Sequence, residues 1–219
     1  MLSHSLDVAP TFTDRVLVSY SGGKDSVATL DLCCRKFKHV QAFFMYLVDG
    51  MSFNEAAFQW VKDRYGIDVV KIPHPMLAEW LRYGTFRNPD MTVPLISFKD
   101  VYNYVRAKTG IYWIAAGERI ADSIVRRAMI KNSGTIDHVR GRLFPVAEWT
   151  KADVVAYVKQ RKLMVSPESK TLGFSFRSLM PSDMDKISKV YPADYKKIRS
   201  WFPMVDASVM RHRYQNESN

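Results

Sequence analysis

The 219-residue chain is 47% hydrophobic and 25% charged, values that suit one globular domain with a small appendage. No apolar run approaches the roughly 18 residues that a membrane span needs, and the opening MLSHSLDVAPTFTD holds no basic or apolar leader region, so a cytoplasmic protein with no membrane partner is expected. Thirty-two Lys and Arg against 22 Asp and Glu give a net charge of +10, which favours an anionic partner over a basic surface kept only for solubility.

Residues 1–13 read as a polar N-terminal arm. RVLVSY (15–20) predicts a short strand. From Asp25 to Lys38 a helix follows, with Val27, Leu30, Leu32, Cys33 and Cys34 as its apolar stripe and Arg35, Lys36 and Lys38 in its last turn. VQAFFMYLVD (40–49) is a continuous apolar run of the kind found in a parallel strand buried on both faces. A helix over Phe53–Tyr65 stops at Gly66, and IDVVKIP (67–73) supplies a third strand ended by Pro73 and Pro75. Residues 74–97 read as irregular. Phe98–Lys108 predicts a helix closed by Gly110, IYWIAAGE (111–118) a fourth strand, Ile120–Ile130 a helix and RLFPV (142–146) a short strand. Thr150 caps a helix over Lys151–Lys162. Beyond about Leu163 the pattern loosens into loops, one or two helices and the mobile polar tail RYQNESN.

Strands alternating with helices predict an open, mostly parallel, doubly wound α/β sheet with a small irregular helical C-terminal extension. The expected domains are an arm at 1–13, a nucleotide-binding α/β domain at 14–170 and a helical extension at 171–219.

The first strand runs into SGGKDS (21–26). In such sheets ligands bind beyond the carboxyl ends of the strands. Gly22 and Gly23 permit close backbone approach and positive φ, so successive N–H groups can converge on an anion. The helix that follows adds its N-terminal dipole. Ser21 and Ser26 offer hydroxyls, Lys24 a cation and Asp25 a magnesium contact. This is not a Walker A loop, because Val18 and Asp25 stand where that motif needs a glycine and a Ser or Thr.

The wording resembles instead the SGGxDS PP-loop of ATP pyrophosphatases and of the phosphoadenosine phosphosulfate (PAPS) reductase family, within the adenine nucleotide α-hydrolase-like superfamily. The resemblance continues in LVDGMSFNEA (47–56), in GERIADSIVRR (117–127) and in LFPVAEWTKADVVAYVKQRKLMVSP (143–167). It implies that Ser21 to Ser26 hold the phosphates of ATP, with Mg2+ on Asp25, and that attack at the α-phosphate releases pyrophosphate. Gly117, Arg119, Ser123 and Arg126 fall on the second motif. Arg119 and Arg126 lie about two helical turns apart and are expected on one helix face, where paired guanidiniums bind a second anionic group. The expected catalytic residues are Lys24, Asp25 and Arg119.

The pattern also departs from the family. Cys33 and Cys34 are the only cysteines, so the C-terminal Glu-Cys-Gly-like nucleophile of sulfonucleotide reductases is missing. Leu179 and Met180 stand where many relatives carry cysteines, although Arg177 is retained. The expected cofactors are therefore ATP and Mg2+ with no iron–sulfur cluster, and classical thiol-dependent reduction is disfavoured. Two alternatives stay open: a sulfonucleotide-acting enzyme using a partner's thiol, and a non-catalytic nucleotide-binding subunit acting with another protein or nucleic acid. A track of Arg119, Arg126, Arg127, Lys131, Arg140, Arg142 and Lys151 joined to the site would suit a DNA or RNA acceptor; the alternative is a small-molecule acceptor with the charge steering the nucleotide, and an oligomer also fits the sequence.

Overall fold

The structure is a computed structural model and describes residues 4–217. Met1–Ser3 of the expected arm lie outside the described residues; in the rest, Leu6 and Ala9 lie about one helical turn apart and both are buried. Helix α1 (His4–Val8) continues into a 3-10 turn at Ala9–Thr11.

Strand β1 (Arg15–Ser19) buries Val16, Leu17 and Val18 completely, as expected of a central strand covered on both faces. Helix α2 (Lys24–Lys36) turns Val27, Leu30 and Cys33 inward, one apolar residue per turn. Then follow β2 (His39–Tyr46), α3 (Ser52–Tyr65) and β3 (Val70–Pro73). The segment expected as irregular contains α4 (Pro75–Tyr83). Pro75 does not only end the strand: it occupies the first helical turn, where its missing N–H costs nothing. His74 caps that helix, its Nδ1 accepting from the Met76 N–H at 3.0 Å, and Gly84 closes it at φ +82°.

Helix α5 (Phe98–Thr109) and β4 (Ile114–Ala116) lead to α6 (Ile124–Ser133), which starts four residues later than the sequence suggests because Ser123 is its N-cap. A short edge strand, β5 (Ile136–Asp137), pairs antiparallel with β6 (Arg142–Leu143). Helix α7 (Lys151–Gln160) opens with the capping box that Thr150 promises, its hydroxyl and Asp153 satisfying each other's backbone N–H groups. Beyond it come four helices, not one or two: α8 (Pro167–Leu172), α9 (Pro181–Val190), α10 (Pro192–Trp201) and α11 (Val205–Glu217). Three of them begin at a proline. The tail expected to be mobile is helical as far as Glu217; Ser218 and Asn219 lie outside the described residues.

The sheet order is β3-β2-β1-β4-β6-β5, with β1–β2, β1–β4 and β4–β6 parallel. The chain therefore builds outward from β1 to β3 and returns to the other side of β1 with β4. That reversal makes the gap between β1 and β4 the topological switch point of an open doubly wound α/β fold, where ligands sit. No helix of the described residues is long and apolar enough to cross a membrane.

Two compact units divide the chain. The first comprises residues 1–44, 57–71 and 103–165, and the second 45–56, 72–102 and 166–219. The core of the first packs α2 between apolar residues of β1, α3 and α7, including Val18, Leu30, Val61 and Val154. Fully burying each such side chain contributes about 1.5–3 kcal/mol. Asp31 on α2 is wholly buried and accepts from Tyr65 Oη at 2.7 Å, Tyr157 Oη at 2.5 Å and Arg161 Nε at 3.1 Å. Burial works to raise this carboxyl, but the bonds from Arg161, Tyr157 and Tyr65 outweigh it and hold it below the usual carboxylate range. In the second unit, Met51, Phe53, Met184, Ile198 and Phe202 are buried together. There Asp194 of α10 receives both the backbone N–H and the hydroxyl of Ser52 at the start of α3, at 2.7 and 2.5 Å.

Candidate functional site

The loop between β1 and α2 is organised by its two serines. The Ser21 N–H and hydroxyl both donate to Ser26 Oγ at 3.1 Å, and Ser26 Oγ donates to the Gly23 carbonyl at 2.9 Å. Gly22 takes φ +73°, the left-handed region where a side chain would be strained. No side chain caps α2, so the N–H groups of its first turn, at Lys24, Asp25 and Ser26, have no helical partner and carry the positive end of a 13-residue helix dipole. Short backbone, unpaired donors and a dipole make this turn an anion-binding cradle.

The expected partners from GERIADSIVRR meet the same turn. Gly117 ends β4 so close to α2 that a Cβ there would lie 2.8 Å from the Asp25 carbonyl carbon and 2.9 Å from the Ser26 nitrogen. Arg119 is buried, and its Nε stands 2.8 Å from Asp25 Oδ1. Lys24 Nζ lies 2.5 Å from the other oxygen, Asp25 Oδ2. One carboxylate thus gathers both cations beside the helix terminus.

Arg119 and Arg126 do not share a helix face as expected. Arg119 sits in the turn ahead of α6, Arg126 within it, and Ser123 serves as the N-cap that receives the Arg126 N–H at 3.2 Å. What unites the arginines is Asp122, to which the motif spacing alone assigns no role. Its carboxylate binds Arg119 Nη2 at 2.6 Å and Arg126 Nη1 at 3.2 Å, and also receives the Arg119 N–H at 3.1 Å. The available signal was its place at the acidic position of the motif. Arg126 remains half exposed, while Arg119 is fixed from two sides by Asp25 and Asp122.

Of the expected basic track, Arg126, Arg127 and Lys131 stand exposed on α6, while Arg140 and Arg142 lie at the start of β6. Arg142 is buried, 2.9 Å from Glu118 and against the Phe144 ring. Arg140 lies just before β6 and its side chain is 60% exposed. Arg177 stacks over Phe174, Leu179 is buried and Met180 is exposed at the start of α9.

A serine-glycine loop after the first strand, a helix terminus and a buried arginine at the switch point define a PP-loop protein of the adenine nucleotide α-hydrolase-like superfamily. The profile of the phosphoadenosine phosphosulfate reductase domain matches residues 15–167, and the chain belongs to that family. Its members are PP-loop enzymes that bind adenine nucleotides. Curated proteins gave no match to the sequence.

Among solved structures, the PAPS reductase of Candida auris in its phosphate complex is similar with a TM-score of 0.54 and 15% identity, over 80% of this chain and 87% of that one. The U34-tRNA thiolase NcsA of Methanococcus maripaludis with its [4Fe-4S] cluster gives 0.48 and 18%, over 88% and 72%. The NH3-dependent NAD synthetase of Campylobacter jejuni subsp. jejuni NCTC 11168 in complex with the nitrate ion gives 0.46 and 15%, over 97% and 93%.

The thiolase corrects the expected cofactor set of ATP and Mg2+ without an iron–sulfur cluster. A similar structure holds a [4Fe-4S] cluster, so the exclusion does not stand. The thiols of this chain do not by themselves fit such a group: Cys33 is fully buried in the apolar core and Cys34 adjoins it on α2. No group of three or more His, Cys, Asp or Glu among the described residues is placed to hold a metal ion.

Proposed function

We propose that the protein binds ATP at the Ser21–Ser26 loop and opens it at the α-phosphate, passing the adenylyl group to an acceptor and releasing pyrophosphate. The observation that carries this reading is the convergence of Lys24 and Arg119 on Asp25 at the uncapped start of α2. The N–H groups of the first helical turn would receive the terminal phosphates, with Lys24 turning from Asp25 onto them. Arg119, held in place by Asp122, would face the α-phosphate. A nucleophile of the acceptor forms a bond to the α-phosphorus as the bond to the bridging oxygen breaks. The electron pair leaves with pyrophosphate, and the acceptor's proton passes to solvent. The charge that grows on the leaving group lies where the loop donors and Lys24 point, which is where fixed dipoles lower a barrier most.

The chemistry of the cysteines disfavours attack on a sulfonucleotide by the chain's own thiols. Burial pushes the Cys33 thiol well up, and burial with the nearby Asp31 charge raises Cys34 to about 12. Neither is a thiolate at neutral pH, the form that attacks. The test is isothermal titration with ATP, PAPS and adenosine 5'-phosphosulfate, joined to an assay of pyrophosphate against orthophosphate release. Tighter binding of ATP with pyrophosphate as product supports the reading. Orthophosphate release, or binding of the sulfonucleotides alone, refutes it.

A further inference from the structure

The nucleotide loop uses the carboxyl ends of the strands. The amino ends of the same strands carry a second surface of different chemistry. The strand order sets the starts of β2, β1, β4 and β6 side by side, about 4.8 Å apart at each step. At one end of this row, Lys38 and His39 open β2 and Arg15 opens β1, all exposed, with Arg15 and His39 register partners.

Aromatic rings come next. Phe12, just before β1, packs 4.9 Å from Trp113, just before β4, and 5.5 Å from His138 in the β5–β6 hairpin. Trp113 is fixed at this edge because its carbonyl accepts the Leu17 N–H at 2.8 Å. Tyr112 extends the row, its ring 5.7 Å from Trp113. Phe12 and Tyr112 nevertheless remain 42% and 51% exposed. The far end is basic again: the Arg106 guanidinium lies 4.5 Å from the Tyr112 ring, and Arg140 stands exposed beside the hairpin. Asp137, the acid nearest to Arg140, is buried and already bound by it. The unit that bears this edge holds 20 Lys and Arg against 11 Asp and Glu.

A row of half-exposed rings flanked by Arg15 and Lys38 at one end and by Arg106 and the ion-paired Arg140 at the other matches a ligand with flat faces and regularly spaced negative charges. Duplex nucleic acid hides its base faces, an acidic peptide lacks them, and one nucleotide is too short to reach both basic ends. We propose that this edge binds single-stranded nucleic acid, its bases stacking on Phe12 and Tyr112 and its phosphates meeting Lys38, Arg15 and Arg140. Stacking of this kind tolerates any sequence. The surface lies one strand length, about 17 Å, from the nucleotide loop, and the inference does not depend on the chemistry proposed there.

Fluorescence anisotropy with a labelled oligothymidylate of about twenty nucleotides, longer than one stacking site, tests it at several salt concentrations. Wild type should bind, with affinity falling steeply as salt rises. Phe12→Leu with Tyr112→Leu should weaken binding about fivefold or more. Lys38→Gln with Arg140→Gln should flatten the slope of log K against log salt by about 1.4, at roughly 0.7 for each lost phosphate contact on a single strand. Melting temperatures and ATP affinity are measured on every variant. Should the double leucine variant unfold, Tyr112→Leu alone is used, since that ring lies at the surface. Absence of binding at low salt, ring variants that bind like wild type, or equal competition by heparin or duplex DNA would overturn the proposal.

Discussion

Replacing Gly117 with alanine tests how closely β4 must approach the nucleotide loop. The new methyl would stand 2.8 Å from the Asp25 carbonyl carbon, 2.9 Å from the Ser26 nitrogen and 3.0 Å from the Asp25 carbonyl oxygen. All three are backbone atoms, so no rotamer change relieves the contact. Gly117 is not at positive φ, and alanine therefore pays nothing for conformation. Restoring an ordinary separation of about 3.5 Å means moving the first turn of α2 by roughly 0.7 Å. Overpacking of this size costs about 1–3 kcal/mol, which for a chain of this length lowers the melting temperature by about 2–4 °C for each kcal/mol. The displaced turn carries Lys24 and Ser26, so ATP affinity should fall at least about tenfold, in keeping with the sensitivity of such sites to sub-ångström shifts. Gly66→Ala is the matched control: its φ is +69° with nothing within 4 Å. It should cost about 1–2 kcal/mol of conformational strain and leave ATP binding alone. Thermal melts and titration calorimetry read both quantities. A Gly117→Ala protein with wild-type melting temperature and ATP affinity would show that the loop is not seated against β4.

Lys24→Ala should weaken ATP binding by about 1.5–3 kcal/mol, the range for a charge-assisted contact, and calorimetry giving equal affinities would remove Lys24 from the site. Asp31→Asn should destabilise the fold by about 2–3 kcal/mol, less than the roughly 3–5 of a fully buried pair because Arg161 keeps 37% of its side chain exposed. The folded Asp31 carboxyl lies below its usual 3.8, so its contribution is present above about pH 3.8 and is lost as pH falls further. Acid melts of the variant should therefore lack that component. Glu168 has the opposite sign. Burial raises its carboxyl above the usual 4.5 despite the Ser166 hydroxyl that donates to it. Stability is then unpenalised below about pH 4.5 and declines as pH rises through the folded value. Glu168→Gln should flatten that decline, and superimposable pH–stability curves for the two proteins would contradict it.

The parallel sheet was legible because continuous apolar runs such as VLV and AFF admit little but a strand buried on both faces. The Ser21–Ser26 loop was legible because glycines, hydroxyls and a lysine between strand and helix leave few other uses. Elements decided by one residue's position were harder to read. Pro75 ends a strand and starts a helix equally well, and only His74 behind it, acting as a cap, tips the choice. Ser123 has the same ambiguity, and treating it as a helix-interior residue placed Arg119 on α6 instead of ahead of it. The role of Asp122 depends on a turn that brings its carboxylate to two arginines, and spacing along the chain does not encode that turn. The four C-terminal helices were compressed because Leu172, Leu179, Met184, Ile187, Ile198 and Phe202 contribute one or two core side chains per short helix, too few for a period to stand out.

The two compact units interleave along the chain, and this bears on how the protein acquires its structure during synthesis. Residues 45–56 leave the ribosome early, yet the unit they belong to also needs 166–219. At about 5–20 residues per second, the stretch from Phe53 to Ile198 takes roughly 7–30 s to appear. Through that interval Met51 and Phe53 wait for partners such as Ile198 and Phe202, and Ser52 waits for Asp194. The other unit closes sooner, once residue 165 has emerged. Order of translation thus lets the nucleotide-loop unit fold first and leaves the other apolar cluster uncovered until residues 166–219 emerge. A ribosome stalled soon after residue 165 has emerged would hold a chain with a finished loop and a sticky, unfinished second unit.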